Sequence, residues 1–230
     1  KFVFSAHCAW CNFEKSSNSL EVRLIRPEIT KAEWHNSDGQ NVSKEKIDNK
    51  ITLYAETKDI DEGKTVTFEI FESSQNPSVE NPQKTLFANV SGGKASVEFN
   101  FNDLMPPPKI DEALYRYYKE HGEDIPREQF EFLLDDYDSE IDSPYKKKPK
   151  FIFVTKAQKC KDFKSETLEL SKDITVTVLD SGGNGEKDAK VYLKEPNGKE
   201  HKVTCGEDGI ATFEDLIPGN YNVKIERKRK

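Results

Sequence analysis

The chain has 230 residues and carries 35 basic against 42 acidic side chains, a formal net charge of −7, with one third of its residues charged and 34% hydrophobic. That balance argues against nucleic acid as the main partner, because phosphate binding needs clustered Lys and Arg. No apolar run approaches the length of a membrane span and no signal-peptide pattern is visible, while aromatics at 10% in alternating patterns exclude a wholly disordered chain.

Residues 1–19 form an N-terminal segment with Phe2, Phe4, Trp10 and Phe13 in no clear period. It holds the sharpest local motif, His7-Cys8-Ala9-Trp10-Cys11. A Cys-x-x-Cys pair can chelate zinc or cycle as a redox disulfide. A structural zinc needs four ligands and no second close pair exists; a redox role wants a βαβ context, which is missing. The favoured reading of Cys8 and Cys11 is inert or locally bonded thiols, with His7, Cys8 and Cys11 kept as weak metal candidates. The expectation is no metal and no cofactor. The only Met is Met105 and the first residue is Lys1, as expected of a processed chain or a piece of a longer polypeptide.

Strand signals begin at Leu20, where Leu20, Val22 and Leu24 alternate with charged residues, and continue through Ile29–Trp34. Trp34 reads as a core residue. Ile51, Leu53 and Ala55 form the next alternating set, then Val66, Phe68 and Ile70. Residues 73–82 read as a loop. Strands near 85–90 and 95–101 flank Ser91-Gly92-Gly93, a hairpin signal. Short alternating strands separated by turns predict a β-sandwich over 20–171.

The pattern breaks at Pro106-Pro107-Pro108, and 106–149 reads as a helical insertion. Leu114 and Tyr118 share one helix face, and Pro126 opens a second helix with Phe130, Leu133 and Leu134 as its stripe. Tyr115, Tyr117, Tyr118, Phe130 and Phe132 give it more aromatic surface than two short helices hide, which makes them the candidate partner-binding residues. The carboxylates Asp135, Asp136, Asp138, Glu140 and Asp142 lack the spacing of a calcium loop and read as a solvated helix end. Strands return at Phe151–Thr155 and, more weakly, at Thr167–Leu170.

Residues 172–230 form the clearest module. Ile174, Val176 and Val178 alternate with Thr175 and Thr177; Val191 and Leu193, Val203 and Cys205, Ile210–Phe213 and Tyr221–Ile225 follow between turns. The basic end, Arg227-Lys228-Arg229-Lys230, reads as a solvated terminus. The histidines, His7, His35, His121 and His201, sit in turn-like or exposed contexts without a nucleophile elbow, and no phosphate-binding Gly loop is present. The expectation is that the chain is not an enzyme.

Three segments carry a resemblance: Asp188-Ala189-Lys190-Val191-Tyr192-Leu193, then Gly206-Glu207-Asp208-Gly209-Ile210-Ala211-Thr212-Phe213, then Leu216-Ile217-Pro218-Gly219-Asn220-Tyr221. They resemble the transthyretin-like and carboxypeptidase-regulatory-like superfamily. This implies a small sandwich acting as a structural or docking module. Ile29–Trp34, Ile51–Thr57 and Glu62-Gly63-Lys64-Thr65-Val66-Thr67-Phe68-Glu69-Ile70-Phe71 are similar to Ig-like modules in C-terminal extensions of type VI secretion spike (VgrG-like) and Rhs-associated proteins. The implied whole is mainly β: an Ig-like β-sandwich with a helical insertion, followed by a transthyretin-like β-sandwich. It would be a secreted, surface or secretion-apparatus module that docks a protein partner. The alternative is a cell-surface adhesin or carbohydrate-binding module.

Overall fold

The computed structural model describes residues 26–104 and 144–227 together with two short strands near the N-terminus. Those two, β1 (Ser5–Cys8) and β2 (Phe13–Ser16), pair antiparallel with Cys8 opposite Phe13. The expected strand at Leu20–Leu24 and the helical insertion over most of 106–149 lie outside the described residues.

The first module follows the alternation read from the sequence. Its first sheet has the order β3-β5-β8, formed by β3 (Glu28–His35), β5 (Lys50–Lys58) and β8 (Lys94–Asn100). Between β3 and β5 lies the three-residue β4 (Lys44–Lys46). Ile51, Leu53 and Ala55 point inward from β5, and Ile29, Ala32 and Trp34 from β3. Ile29 and Ala32 share that face despite their spacing of three, because the register shifts between Ile29 and Lys31; a bulge there restores the period.

The facing sheet carries β6 (Thr65–Glu72), β7 (Lys84–Asn89), β9 (Lys150–Lys156) and β10 (Phe163–Lys164), in the order β7-β6-β9, with β10 on the free side of β9. The turn at Ser91-Gly92-Gly93 is present, but the strands it joins do not form a hairpin. β7 pairs with β6 and β8 with β5, so the turn carries the chain from one sheet to the other. Val66, Phe68, Ile70, Phe151 and Phe153 fill the space between the sheets. Each such side chain contributes about 1.5–3 kcal/mol on burial. A smaller cluster of Phe71, Ile152 and Val154 lies on the opposite face of β6 and β9.

Strand β11 (Leu168–Thr177) decides the architecture. Its first residues pair with β9 and, in parallel, with β4; from Lys172 onward it pairs with β14 (Ile210–Leu216). Leu168 and Leu170 enter the first core, whereas Ile174 packs against the second. The sequence shows two separate strand signals with a module boundary at 171/172; the structure has one ten-residue strand, about 33 Å long, running through that boundary.

The second module is completed by β12 (Lys190–Lys194), β13 (Glu200–Thr204) and β15 (Asn222–Glu226), in the order β13-β12-β15. Its core contains Val178, Val191, Leu193, Cys205, Ala211, Phe213 and Leu216. The corner before β15 closes as its residues imply. Gly219 takes φ 150°, and the Tyr221 hydroxyl donates to the Ile217 carbonyl at 2.6 Å across Pro218 and Gly219.

Candidate functional site

The junction where β11 leaves one sandwich and enters the other is tied by both backbone bonds and ion pairs. Backbone bonds fix it first. The Ile47 amide donates to the Ser171 carbonyl at 2.8 Å, Glu169 N–H to Ser43 at 2.9 Å, and Leu170 N–H to Pro149 at 3.0 Å. Charges then clamp both sides. Lys46 Nζ lies 2.6 Å from Asp173 Oδ1, which also accepts the Asp215 amide at 2.8 Å, and Lys148 Nζ lies 2.5 Å from Asp215 Oδ2. Lys146 Nζ donates to the Pro196 carbonyl at 3.0 Å, reaching the β12–β13 turn from the first module.

Asp215 adopts φ 59°, a conformation that short polar side chains tolerate better than most, opposite the register shift between Lys172 and Ile174. The bond from Lys148 holds the Asp215 carboxyl below its ordinary range. For Asp173 burial works in the other direction, but Lys46 and the Asp215 amide outweigh it, and its carboxyl is also lowered. Opposite charges and donors both favour the ionised form.

A second polar tie closes the far side of the joint. Glu195 is buried; its Oε2 accepts the Ile217 amide at 2.8 Å, and its Oε1 lies 2.5 Å from His201 Nε2. Both carboxylate oxygens are thereby engaged in holding the β12–β13 turn to the Tyr221 corner, which is a structural use of a buried acid. His201 is not in a turn-like setting, contrary to the sequence expectation, but on β13 facing that carboxylate.

His35 likewise departs from the expected turn-like or exposed setting. It lies on β3, stacked on Tyr54 with ring centres 4.5 Å apart and planes 18° from parallel, and 3.0 Å from Glu33 Oε2. Partial burial, and then donation to Glu56, push the Tyr54 hydroxyl up to about 12. Partial burial works to raise the Glu33 carboxyl, but bonds from His35 and Lys31 outweigh it and hold it low. The group is a polar lattice on the outer face of a sheet, in which His35, Tyr54, Glu33 and Glu56 hold one another.

Of the residues singled out from sequence, Trp34 is where it was expected, 1% exposed in the first core. Tyr115, Tyr117, Tyr118, Phe130 and Phe132 lie outside the described residues, as does Cys11. His7 and Cys8 fall on β1, of which only the backbone is described. Among the described residues no group of three or more His, Cys, Asp or Glu is placed to hold a metal. Cys160 and Cys205 are free thiols, and burial pushes both up, so neither is primed as a nucleophile. No helix among the described residues is long and apolar enough to cross a membrane.

The junction residues Lys46, Lys148, Asp173 and Asp215 were not singled out from sequence. Each is an ordinary charge on a strand or turn, and only the pairing of β11 with three other strands brings them together.

No family model matches the chain, and no curated protein does. Solved structures similar to it include a tetra-tandem repeat in the extending region of a large adhesion protein, with 10% identity, 87% of this chain and 48% of that one covered, and a TM-score of 0.31. A bacterial adhesin from Mobiluncus mulieris containing intramolecular disulfide, isopeptide and ester bond cross-links shares 13% identity over 87% of this chain and 80% of that one, also at 0.31. A 1.5-MDa bacterial ice-binding adhesin, described for retention at the host cell surface, is similar at 9% identity, 85% and 62% coverage and 0.23. The chain spans about half the length of the first of these. At such TM-scores the likenesses carry no argument of their own.

Proposed function

We propose that this chain is a non-catalytic, load-bearing spacer of a longer cell-surface protein of the adhesin class, which holds binding surfaces in a fixed mutual orientation. The observation that carries the reading is β11, one uninterrupted strand shared by both sandwiches. A continuous strand leaves no swivel between modules, and the Lys46–Asp173 and Lys148–Asp215 pairs brace it on both flanks. Interfaces between domains of one chain ordinarily permit relative motion; here the backbone ladder itself crosses the boundary. An enzyme gains nothing from this, whereas a chain that transmits force or sets a distance does.

The first module is read as Ig-like from its strand order, with β3, β5 and β8 in one sheet and β7, β6 and β9 in the other. The second is read as transthyretin-like from its small two-sheet core and its Pro-Gly-Tyr corner. The surface role takes precedence over docking on a secretion spike because it uses the rigid joint directly.

Small-angle X-ray scattering tests the proposal. The native chain should fit a single rigid arrangement of its two modules. A variant with Gly-Gly-Ser inserted after Lys172 should require an ensemble, with each module still folded by circular dichroism. A native chain that already requires an ensemble would overturn the spacer reading.

A further inference from the structure

The second module has one sheet face that the joint does not use. In the sheet β13-β12-β15, Val191 and Leu193 point into the core, so Lys190, Tyr192 and Lys194 point out. The register places Lys202 of β13 and Lys224 of β15 directly opposite Tyr192 on its two sides. Both ammonium groups lean over its ring, at 5.2 Å and 5.8 Å from the centre. The Tyr192 hydroxyl donates to Glu226 Oε2 at 2.9 Å, which fixes the ring from below.

The face thus gathers Lys190, Lys194, Lys202 and Lys224 against two carboxylates, Glu200 and Glu226. Glu226 is occupied by Tyr192 and lies 3.7 Å from Lys224. Lys190, Lys194 and Lys202 have no ion pair among the described residues. Some lysines elsewhere are matched and some are not: Lys46, Lys50, Lys58, Lys148, Lys150, Lys156 and Lys187 each stand beside a carboxylate. In a chain of net charge −7, four lysines against two carboxylates on one sheet face are a local excess of positive charge. Drawing Lys202 and Lys224 over one ring brings like charges together, at a cost that Glu226 offsets in part and that a bound anion would relieve further.

We infer that this Tyr192-centred face binds a linear anionic polysaccharide. A sheet face lays its groups out in rows along the strands, which fits an extended polymer. Lys190 and Lys194 stand about 13 Å apart along β12, and the flanking strands add cations about 5 Å to either side. That field meets several successive anionic groups of a chain laid across it, while the apolar face of a sugar ring can rest against Tyr192. Single-stranded nucleic acid is the weaker match, since its binding platforms stack successive bases on several aromatics and this face offers one. The inference does not depend on the spacer reading, because it concerns one face of one module.

Isothermal titration of the whole chain with heparin, polygalacturonate, neutral dextran and a single-stranded oligonucleotide, at two salt concentrations, tests it. The expected result is binding to one or both acidic polysaccharides and none to dextran. Lys202→Glu/Lys224→Glu should weaken that binding at least ten-fold and flatten its dependence on salt. Tyr192→Ala should weaken it several-fold with the salt dependence kept. Lys50→Glu/Lys58→Glu on the first module should leave it unchanged. Absence of polysaccharide binding, tighter binding of the oligonucleotide, or equal loss in the first-module variant would each overturn the assignment. All substituted positions are on the surface, and an unchanged thermal transition verifies folding of every variant.

Discussion

Trp34 ties two distant parts of the first sandwich through both ends of its side chain. Its ring meets Phe153 edge-on at 4.6 Å and Phe101 at 5.8 Å, and its Nε1–H donates at 3.0 Å to the Glu166 carbonyl, on the loop that leads into β11. The same carbonyl accepts from Ser165 Oγ at 2.9 Å, so it keeps one donor if the indole is lost. Two substitutions separate packing from hydrogen bonding. Trp34→Ala should cost about 3–5 kcal/mol, the range for emptying a buried aromatic site. Trp34→Phe should cost about 1–2 kcal/mol, because one acceptor site goes unfilled and the cavity is small. Urea denaturation followed by circular dichroism measures both; equal losses would show that the hydrogen bond, and not the packing, dominates.

At the scale of elements, most of the strands were legible because their periodicity is clean. Ile51-Leu53-Ala55 and Val66-Phe68-Ile70 are half-buried strands on their alternation alone, and both are found as read. Pairing was less legible. Gly92-Gly93 signals a turn but not whether the strands around it bond to each other, since that is set by tertiary contacts many residues away. The glycines of the second module show a related limit. Gly182 and Gly183 stand out in sequence, yet the close approach is made by Gly185 and Gly209, whose backbones meet where two loops cross. A Cβ on Gly185 would lie 2.2 Å from the Asp208 carbonyl, and one on Gly209 would lie 2.3 Å from that of Val178. Gly209 also has φ +72°, whereas Gly198 has φ +84° with open space around it. Gly198→Ala should therefore cost only the left-handed penalty of about 1–2 kcal/mol. Gly185→Ala tests the clash without that penalty, and Gly209→Ala, which suffers both, should be the most destabilising of the three. Thermal melts rank them; a Gly209→Ala variant no worse than Gly198→Ala would contradict the close crossing of the two loops.

Across the whole molecule, the joint depends on carboxylates staying ionised, and that makes the coupling of the two modules sensitive to acid. Asp173 and Asp215 are both lowered in the folded chain, as is Glu169, where the bond from Lys150 is the main cause. A carboxyl lowered by folding contributes stability that is fully present above its unfolded value, near 4 for Asp and Glu, and that is lost as pH falls through the folded value. The contribution of each pair is small, about 0.2–1 kcal/mol, because both aspartates are well exposed to solvent. Its pH dependence is nevertheless diagnostic. Asp173→Asn/Asp215→Asn removes the charges but keeps side chains that tolerate the backbone conformation at 215. The double variant should be less stable than the native chain at pH 7, and the gap should close as pH falls through the lowered folded values, where the native carboxyls themselves become protonated. Chemical denaturation at intervals between pH 7 and pH 2 reads this directly. A gap that persists unchanged to pH 2 would mean that the two aspartates brace the joint by shape and hydrogen bonding alone. β11 would then hold the modules together without help from charge, and acid would leave their mutual orientation intact.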